Sequence, residues 1–222
     1  MSLLMPIEVI PECLNKLHNK CGVSGPTYTD FVGFDDESLK TVTGQVHAVL
    51  FAFPLSPRHE EFRKKQAEEN KDKEPKNAYF IKQTLENSCV INAVIHTVAN
   101  NLTLFSFGPN STLKEFIDKT GNYTPEERAR HLPTFKNLVI DHNTIASETL
   151  CRPDGNTHFH VVLFTIVDGH LHEFDGLTDK PIDHGATSEK TFVEDVAKIC
   201  KQHTDREEGE NRFSAVALTT DA

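Results

Sequence analysis

The sequence lacks the features that mark membrane-spanning, secreted or disulfide-stabilised proteins. No apolar run approaches the length of a membrane span, and residues 1–6 lack the basic region and long apolar segment of a signal peptide. The five cysteines are odd in number and scattered, and none forms a Cys-x-x-Cys pair. This usage disfavours both a disulfide framework and a cysteine zinc site. We therefore expect a cytoplasmic protein in a reducing compartment, with no membrane partner.

Basic charge is also scarce. The 222 residues carry 33 acidic and 23 basic side chains, which gives a net charge of −10. This balance disfavours nucleic acid as a partner and suits a partner with a basic face. The chain has no internal repeat and no low-complexity segment, and its length suits one large domain or two small ones.

The apolar pattern predicts strands interleaved with helices. Residues 46–53 form a near-continuous apolar run, which is typical of a central strand covered on both faces. Residues 60–77 are dominated by charge and indicate a solvent-exposed helix and loop. Together the elements predict one α/β sandwich. Further strands are expected at 27–34, 158–167, 170–175 and 212–218, with helices opened by Pro11, Ser111, Thr124, Thr134 and Ser188.

One cysteine stands at the predicted start of a helix. Asn87 and Ser88 are good N-cap residues, and apolar side chains follow at helical spacing as far as Val98. Cys89 is therefore expected in the first turn, where unpaired backbone N–H groups and the helix dipole favour a thiolate. The alternative is that Cys89 is only a small buried apolar residue.

A predicted hairpin supplies a base for this thiol. The pair Asp168-Gly169 between two apolar runs indicates a two-residue loop, which places Asp175 opposite Val162. His160 then lies two residues along the same face, about 7–8 Å away at Cα, within reach of an imidazole and a carboxylate. His158 lies too far from Asp175. His160 and Asp175 are thus predicted as base and orienting acid.

Cys89, His160 and Asp175 follow one another in the chain order of papain-like thiol hydrolases. Gln83 precedes the cysteine, and its side-chain amide is suited to donate to an oxyanion together with the backbone N–H of Cys89. The alternative is a metal site on alternate strand positions, either at 158 and 160 or at 170 and 172. No third ligand follows at a spacing typical of metal sites, so we expect no metal.

Several long motifs carry a resemblance to a known family. The sequence resembles the short, single-domain ubiquitin C-terminal hydrolases over essentially its whole length. The segments that carry this resemblance are 79–89 (YFIKQTLENSC), 158–160 (HFH), 167–176 (VDGHLHEFDG), 184–189 (HGATSE) and 212–218 (RFSAVAL).

The resemblance implies one catalytic domain over residues 1–222, with no metal and no organic cofactor, and we expect a monomer. The fold would be a papain-like, three-layer α/β sandwich, with a mainly antiparallel central sheet flanked by helices and a knotted backbone. Cys89 would be the nucleophile, His160 the base and then the acid, Asp175 the orienting residue and Gln83 the oxyanion donor. The reaction would be hydrolysis at the C-terminal glycine of ubiquitin through an acyl-enzyme.

One departure from the family pattern bears on the activity. The family usually has glycine directly after the nucleophile, whereas Val90 stands here, and its side chain either points into the core or narrows the acyl site. Two functions are therefore considered: a cysteine hydrolase that acts on ubiquitin adducts, and a ubiquitin-binding protein that holds free ubiquitin with little turnover.

Residues 148–157 carry turn chemistry and correspond to the family's loop across the active site. Ten residues span at most about 35 Å, so the loop would leave an opening on the order of 10–15 Å. We expect it to admit small adducts and short or unfolded peptides, but no folded domain.

Overall fold

The centre of the protein is an antiparallel sheet. The computed structural model describes residues 3–73, 75–148 and 159–221. The strands are β1 (Val23–Ser24), β2 (Thr27–Asp30), β3 (Gln45–Pro54), β4 (Ser106–Phe107), β5 (Phe159–Val167), β6 (His170–Phe174), β7 (Ile182–Ala186) and β8 (Ser214–Thr220). Six of them form one sheet in the order β2-β8-β3-β5-β6-β7, and β1 pairs separately with β4. Every neighbouring pair of strands is antiparallel.

Helices cover this sheet. The helix predicted to follow Ser111 is confirmed, because the Ser111 hydroxyl accepts from the N–H of Lys114. The capping box at Thr124 is also confirmed, with both of its hydrogen bonds present. The helices are α1 (Pro11–Lys20), α2 (Asp36–Leu39), α3 (Pro57–Glu69), α4 (Cys89–Asn100), α5 (Thr112–Thr120), α6 (Pro125–His131), α7 (Lys136–Glu148) and α8 (Phe192–Arg206).

The central strand β3 separates two apolar cores. Ala48, Leu50 and Ala52 belong to a core that includes side chains of α1, α4, α5 and α7. The alternating residues Val49, Phe51 and Phe53 belong to a second core, which α8 covers. Both faces of β3 are apolar because both are covered. The predicted α/β sandwich of helices around an antiparallel sheet is confirmed.

The β5–β6 hairpin has the predicted register. Asp168 (φ 52°) and Gly169 (φ 78°) both have positive φ, as a type I′ turn requires. The pairing runs without a shift from Val167 opposite His170 to Leu163 opposite Phe174. The strand positions from which the site was predicted are therefore correct.

Some sequence predictions need correction. Ser188 does not cap the next helix: α8 begins at Phe192 with Thr191 as N-cap, because the chain first makes a turn in which the Ser188 carbonyl accepts two N–H groups. Strand β7 was not predicted, and β2 ends at Asp30, earlier than expected.

The fold leaves the expected knot and the expected loop untested. The knotted path of the backbone stays a prediction. The predicted loop at 148–157 lies, apart from Glu148, outside the described residues, as does His158. Within the described ranges no helix is long and apolar enough to cross a membrane.

Candidate active site

Cys89 is the first residue of α4, as predicted. Ser88 occupies the N-cap position, but its hydroxyl donates to the carbonyl of Leu85 (2.8 Å) and caps no N–H of the helix. Cys89 is half-buried, whereas Cys13, Cys21 and Cys200 are buried. Burial raises the pKa of the Cys21 thiol to about 12. Among the described cysteines, Cys89 thus combines partial exposure with a helix N-terminus, the setting that suits a reactive thiol.

His160 and Asp175 form the predicted pair. His160 Nε2 lies 2.6 Å from Asp175 Oδ1, and each side chain is 2% exposed. Strand β5 carries His160 next to Phe53 of β3, and the two rings meet edge to face at 5.8 Å between centroids. Because the Nε2 atom bonds to the carboxylate, it carries the proton and leaves Nδ1 as the unprotonated nitrogen. The pair can therefore act as a base through Nδ1.

The carboxyl group of Asp175 stays ionised although it is buried. Burial raises its pKa, but the charge and hydrogen bond of His160, the N–H of Leu177 and the charge of Arg63 together lower the pKa below its usual value. The Leu177 N–H donates to Oδ1 at 2.8 Å, and Arg63 Nη1 lies 3.5 Å from Oδ2. A buried carboxylate with these partners can hold the imidazole in one tautomer and stabilise an imidazolium.

Gln83 is tied to the strand end that carries the acid. Its backbone N–H donates to the carbonyl of Gly176 at 2.7 Å, and Gly176 directly follows Asp175. A Cβ atom at position 176 would lie 2.9 Å from Gln83 Cβ, so only glycine permits this approach. One chain of contacts thus links Gln83, Gly176, Asp175 and His160.

A second buried acid, Glu173, lies in β6 two residues before Asp175. Glu173 Oε2 lies 2.8 Å from His184 Nε2 and accepts from the Gln66 side chain at 3.3 Å. Burial raises its pKa, but the charges of His203 and His184 and the hydrogen bond of His184 outweigh burial and lower the pKa well below its usual value. Glu173 in the strand and Asp175 just after it are therefore two buried carboxylates, each bonded to a histidine.

The structure corrects the expectation for Arg63 and decides between the two alternatives for Val90. Arg63 belongs to the charged stretch predicted to be solvent-exposed, yet its side chain is 16% exposed and faces Asp175. Charge pattern alone gives no signal for a single arginine that turns inward. Val90 is 2% exposed and belongs to the core shared by α1 and α4. Of the two alternatives for Val90, the structure supports the one in which the side chain points into the core.

Two of the histidines considered for a metal site, His160 and His170, bond to carboxylates. His170 Nδ1 lies 3.0 Å from Asp183 Oδ1, while His160 bonds to Asp175. In the part of the chain that the structure describes, no group of three or more histidine, cysteine or acidic side chains is arranged to hold a metal ion.

The sequence model described as ubiquitin carboxyl-terminal hydrolase, family 1, matches residues 4–205. The chain belongs to this family. The identification from the sequence motifs is thereby confirmed, and with it the class of cysteine-type hydrolase.

Known members of the family are similar over nearly the whole chain. Ubiquitin carboxyl-terminal hydrolase isozyme L1 of Homo sapiens is 46% identical over 218 residues, which cover 97% of each chain. The isozyme of Bos taurus is 40% identical over 247 residues, covering 97% of this chain and 98% of its own. The crystal structure of the Trichinella spiralis UCH37 catalytic domain bound to ubiquitin vinyl methyl ester matches with a TM-score of 0.79 at 26% identity. That match covers 98% of this chain and 96% of the other.

Proposed function

We propose that this protein is a thiol-dependent hydrolase that cleaves bonds to the C-terminal glycine of ubiquitin. The observation that carries the proposal is the buried hydrogen bond of 2.6 Å between His160 and Asp175, in a member of this family whose Cys89 begins a helix. A half-buried thiol, an oriented imidazole and an amide donor form the set of groups that acyl transfer requires.

In the proposed mechanism, Cys89 is the nucleophile and His160 moves the proton. The thiol proton passes to His160 Nδ1 as Sγ attacks the carbonyl carbon of the last glycine of ubiquitin. The Gln83 side-chain amide and the Cys89 N–H donate to the oxyanion. His160 then protonates the leaving group, and a thioester remains. A water molecule gives a proton to His160 and attacks the thioester, which releases the carboxylate of ubiquitin and returns the thiol.

Asp175 keeps the proton on Nε2 throughout this cycle. Its carboxylate accepts from the imidazole in both the neutral and the charged state, so Nδ1 always faces the reaction. No metal or organic cofactor enters any step.

The leaving groups are proposed to be small. The proposal rests on the loop expected from the sequence at 148–157, whose length would admit amines, thiols, short peptides or unfolded tails. Folded di-ubiquitin is then cleaved far more slowly than a small adduct, and equal rates on the two substrates would contradict this limit.

We further propose that residues 1–222 form one catalytic domain and that the protein acts as a cytoplasmic monomer. Its net charge of −10 suits a basic face on ubiquitin.

A fluorogenic amide at the C-terminus of ubiquitin tests the proposed function. We expect the wild-type protein to release the fluorophore, and Cys89→Ala to abolish release while keeping ubiquitin affinity. His160→Ala should impair the chemical step strongly, whereas His158→Ala should be mild. A folded wild-type protein that binds ubiquitin without hydrolysis would favour the alternative of a ubiquitin-holding protein.

A further inference from the structure

The segment at residues 79–83, which ends at the proposed oxyanion donor Gln83, belongs to no helix or strand. It is nevertheless ordered by hydrogen bonds to its main chain. Tyr79 donates its N–H to Asn100 Oδ1 at 2.8 Å, and its carbonyl accepts from Asn100 Nδ2 at 2.9 Å. The N–H of Ile81 donates to His96 Nε2 at 3.0 Å. The carbonyl of Lys82 accepts from Asn92 Nδ2 at 3.4 Å.

All three partners lie on α4 and follow one another at intervals of four residues. Side chains at this spacing share one face of a helix, so Asn92, His96 and Asn100 form a single row. We call this row the α4 ladder. The same helix begins at Cys89. One rigid element thus carries the proposed nucleophile at its end and the residues that hold the Gln83 segment along its side.

Two residues of α6, Pro125 and Arg128, also bond to the segment. Arg128 Nη1 donates to the carbonyl of Phe80 at 2.8 Å, and its guanidinium carbon lies 3.8 Å from the centre of the Tyr79 ring. The N–H of Lys82 donates to the carbonyl of Pro125 at 3.4 Å. The segment therefore has partners on two helices, α4 and α6, although it belongs to no strand.

His96 occupies the middle of the ladder and acts there as a neutral acceptor. It is 1% exposed, and burial lowers its pKa to about 3. Because Nε2 accepts from the Ile81 N–H, the proton must lie on Nδ1. The ring lies parallel to Phe80, at 5.1 Å between centroids and an angle of 3°, and it also meets Phe174 at 5.2 Å. These contacts hold the imidazole ring in one orientation.

We propose that Asn92, His96 and Asn100 are positioning residues that set the location of the Gln83 amide relative to Cys89. This inference rests on the proposed function, because it acts through the oxyanion donor. Stabilisation of an oxyanion depends on donors placed in advance, and a displacement of about 1 Å can cost on the order of 100-fold in rate. A donor on an irregular segment needs such external support. The ladder supplies it from the helix that carries the nucleophile.

A pair of substitutions of similar size isolates the middle hydrogen bond. The glutamine of His96→Gln keeps an acceptor oxygen near the position of Nε2. The methionine of His96→Met has a similar length but no strong acceptor. We expect His96→Met to lower kcat about 10- to 100-fold on the fluorogenic ubiquitin amide, and His96→Gln to stay within about threefold of wild type. KM and the affinity for free ubiquitin should not change. His142→Met is the matched control, since His142 is also buried and bonds to a backbone carbonyl, that of Met5.

A double-mutant cycle shows whether the ladder acts through Gln83. Combined with Gln83→Ala, His96→Met should lower kcat no further, because the donor that it positions is absent. Independent, multiplied losses would overturn the proposal. So would equal kcat values for His96→Gln and His96→Met, or a loss in His142→Met as large as that in His96→Met.

Asn92→Ala and hydrogen exchange separate positioning from stability. Alanine at position 92 removes the bond to the Lys82 carbonyl but also removes the buried Oδ1, which has no hydrogen-bond partner. The two effects on stability oppose each other, so the urea midpoint of unfolding should change little while kcat falls. Unchanged kcat in this folded variant would count against the proposal. Hydrogen exchange of residues 79–83 should be faster in His96→Met than in His96→Gln, and equal exchange would overturn the proposal whatever the activity. Failure of the proposed function is seen separately, as a folded wild-type protein that does not hydrolyse the amide, or as Gln83→Ala that hydrolyses it at the wild-type rate.

Discussion

Asp175→Asn removes one charge from the buried histidine pair while keeping its geometry. Asp175 Oδ1 accepts from His160 Nε2 at 2.6 Å and from the Leu177 N–H at 2.8 Å. Because two donors point at one oxygen, an asparagine must place its carbonyl oxygen there. Its amide nitrogen then replaces Oδ2 and loses the ion pair with Arg63. The proton stays on Nε2, so the tautomer needed for catalysis is retained.

The expected loss follows from the strength of this hydrogen bond. A bond to a charged group contributes about 1.5–3 kcal/mol and a neutral one about 0.5–1.5 kcal/mol, so losing the charge costs about 1–2 kcal/mol. That corresponds to a decrease of about 5- to 30-fold in kcat. Asp175→Ala also leaves two buried donors without an acceptor, at about 1–3 kcal/mol each, and should lower kcat about 30- to 25,000-fold.

Steady-state kinetics on the fluorogenic ubiquitin amide measure both variants. Asp183→Asn is the matched control, because Asp183 Oδ1 likewise meets a histidine, His170, at 3.0 Å and accepts the N–H of Gly185 at 2.7 Å. The control should stay within about twofold of wild-type kcat, since it bonds outside the proposed catalytic set. Equal losses in Asp175→Asn and Asp175→Ala would show that the Leu177 N–H does not fix the orientation of the side chain.

Three further predictions concern packing and pH. Gly176→Ala should lower kcat at least about tenfold with unchanged ubiquitin affinity, because the added Cβ displaces Gln83; unchanged kcat would contradict the close contact. Val90→Gly should lower the free energy of unfolding in urea by about 2–4 kcal/mol while kcat stays within about threefold, since Val90 lies in the core. His18, His59 and His96 have pKa values lowered to about 3 by burial, so between pH 6.5 and 3 the unfolded chain binds three more protons than the folded one. Stability should therefore fall with decreasing pH by about 4 kcal/mol per unit in that window, and a flat pH profile in urea unfolding would refute this.

The sequence predicts the hairpin pair because its geometry is local. The turn at Asp168-Gly169 accepts positive φ at both positions and so sets the register, and the period of two along each strand then places His160 beside Asp175. The position of Cys89 is predictable for a similar reason, since the helical spacing of the apolar residues after it is a local signal, although Ser88 caps no N–H of the helix.

Residues whose partners are distant in sequence escape this reasoning. Arg63 follows a charge pattern typical of an exposed helix, and only the packing of α3 near β6 turns it towards Asp175. The spacing of Asn92, His96 and Asn100 can be read from the sequence, but their partner is a main-chain segment without strand pattern. Strand β7 is short and contains Asp183 and Gly185, so it has no clear alternation of apolar and polar residues.

The proposed role of Cys89 can be tested most directly with ubiquitin that carries a thiol-reactive vinyl methyl ester at its C-terminus. Intact mass and peptide mapping after incubation should show one ubiquitin per chain, joined through Cys89, with no adduct on the buried Cys13, Cys21 or Cys200. Cys89→Ala should give no adduct, and His160→Ala should form it far more slowly. An adduct on another residue, or none on the folded wild-type protein, would contradict the assignment of Cys89 as the nucleophile.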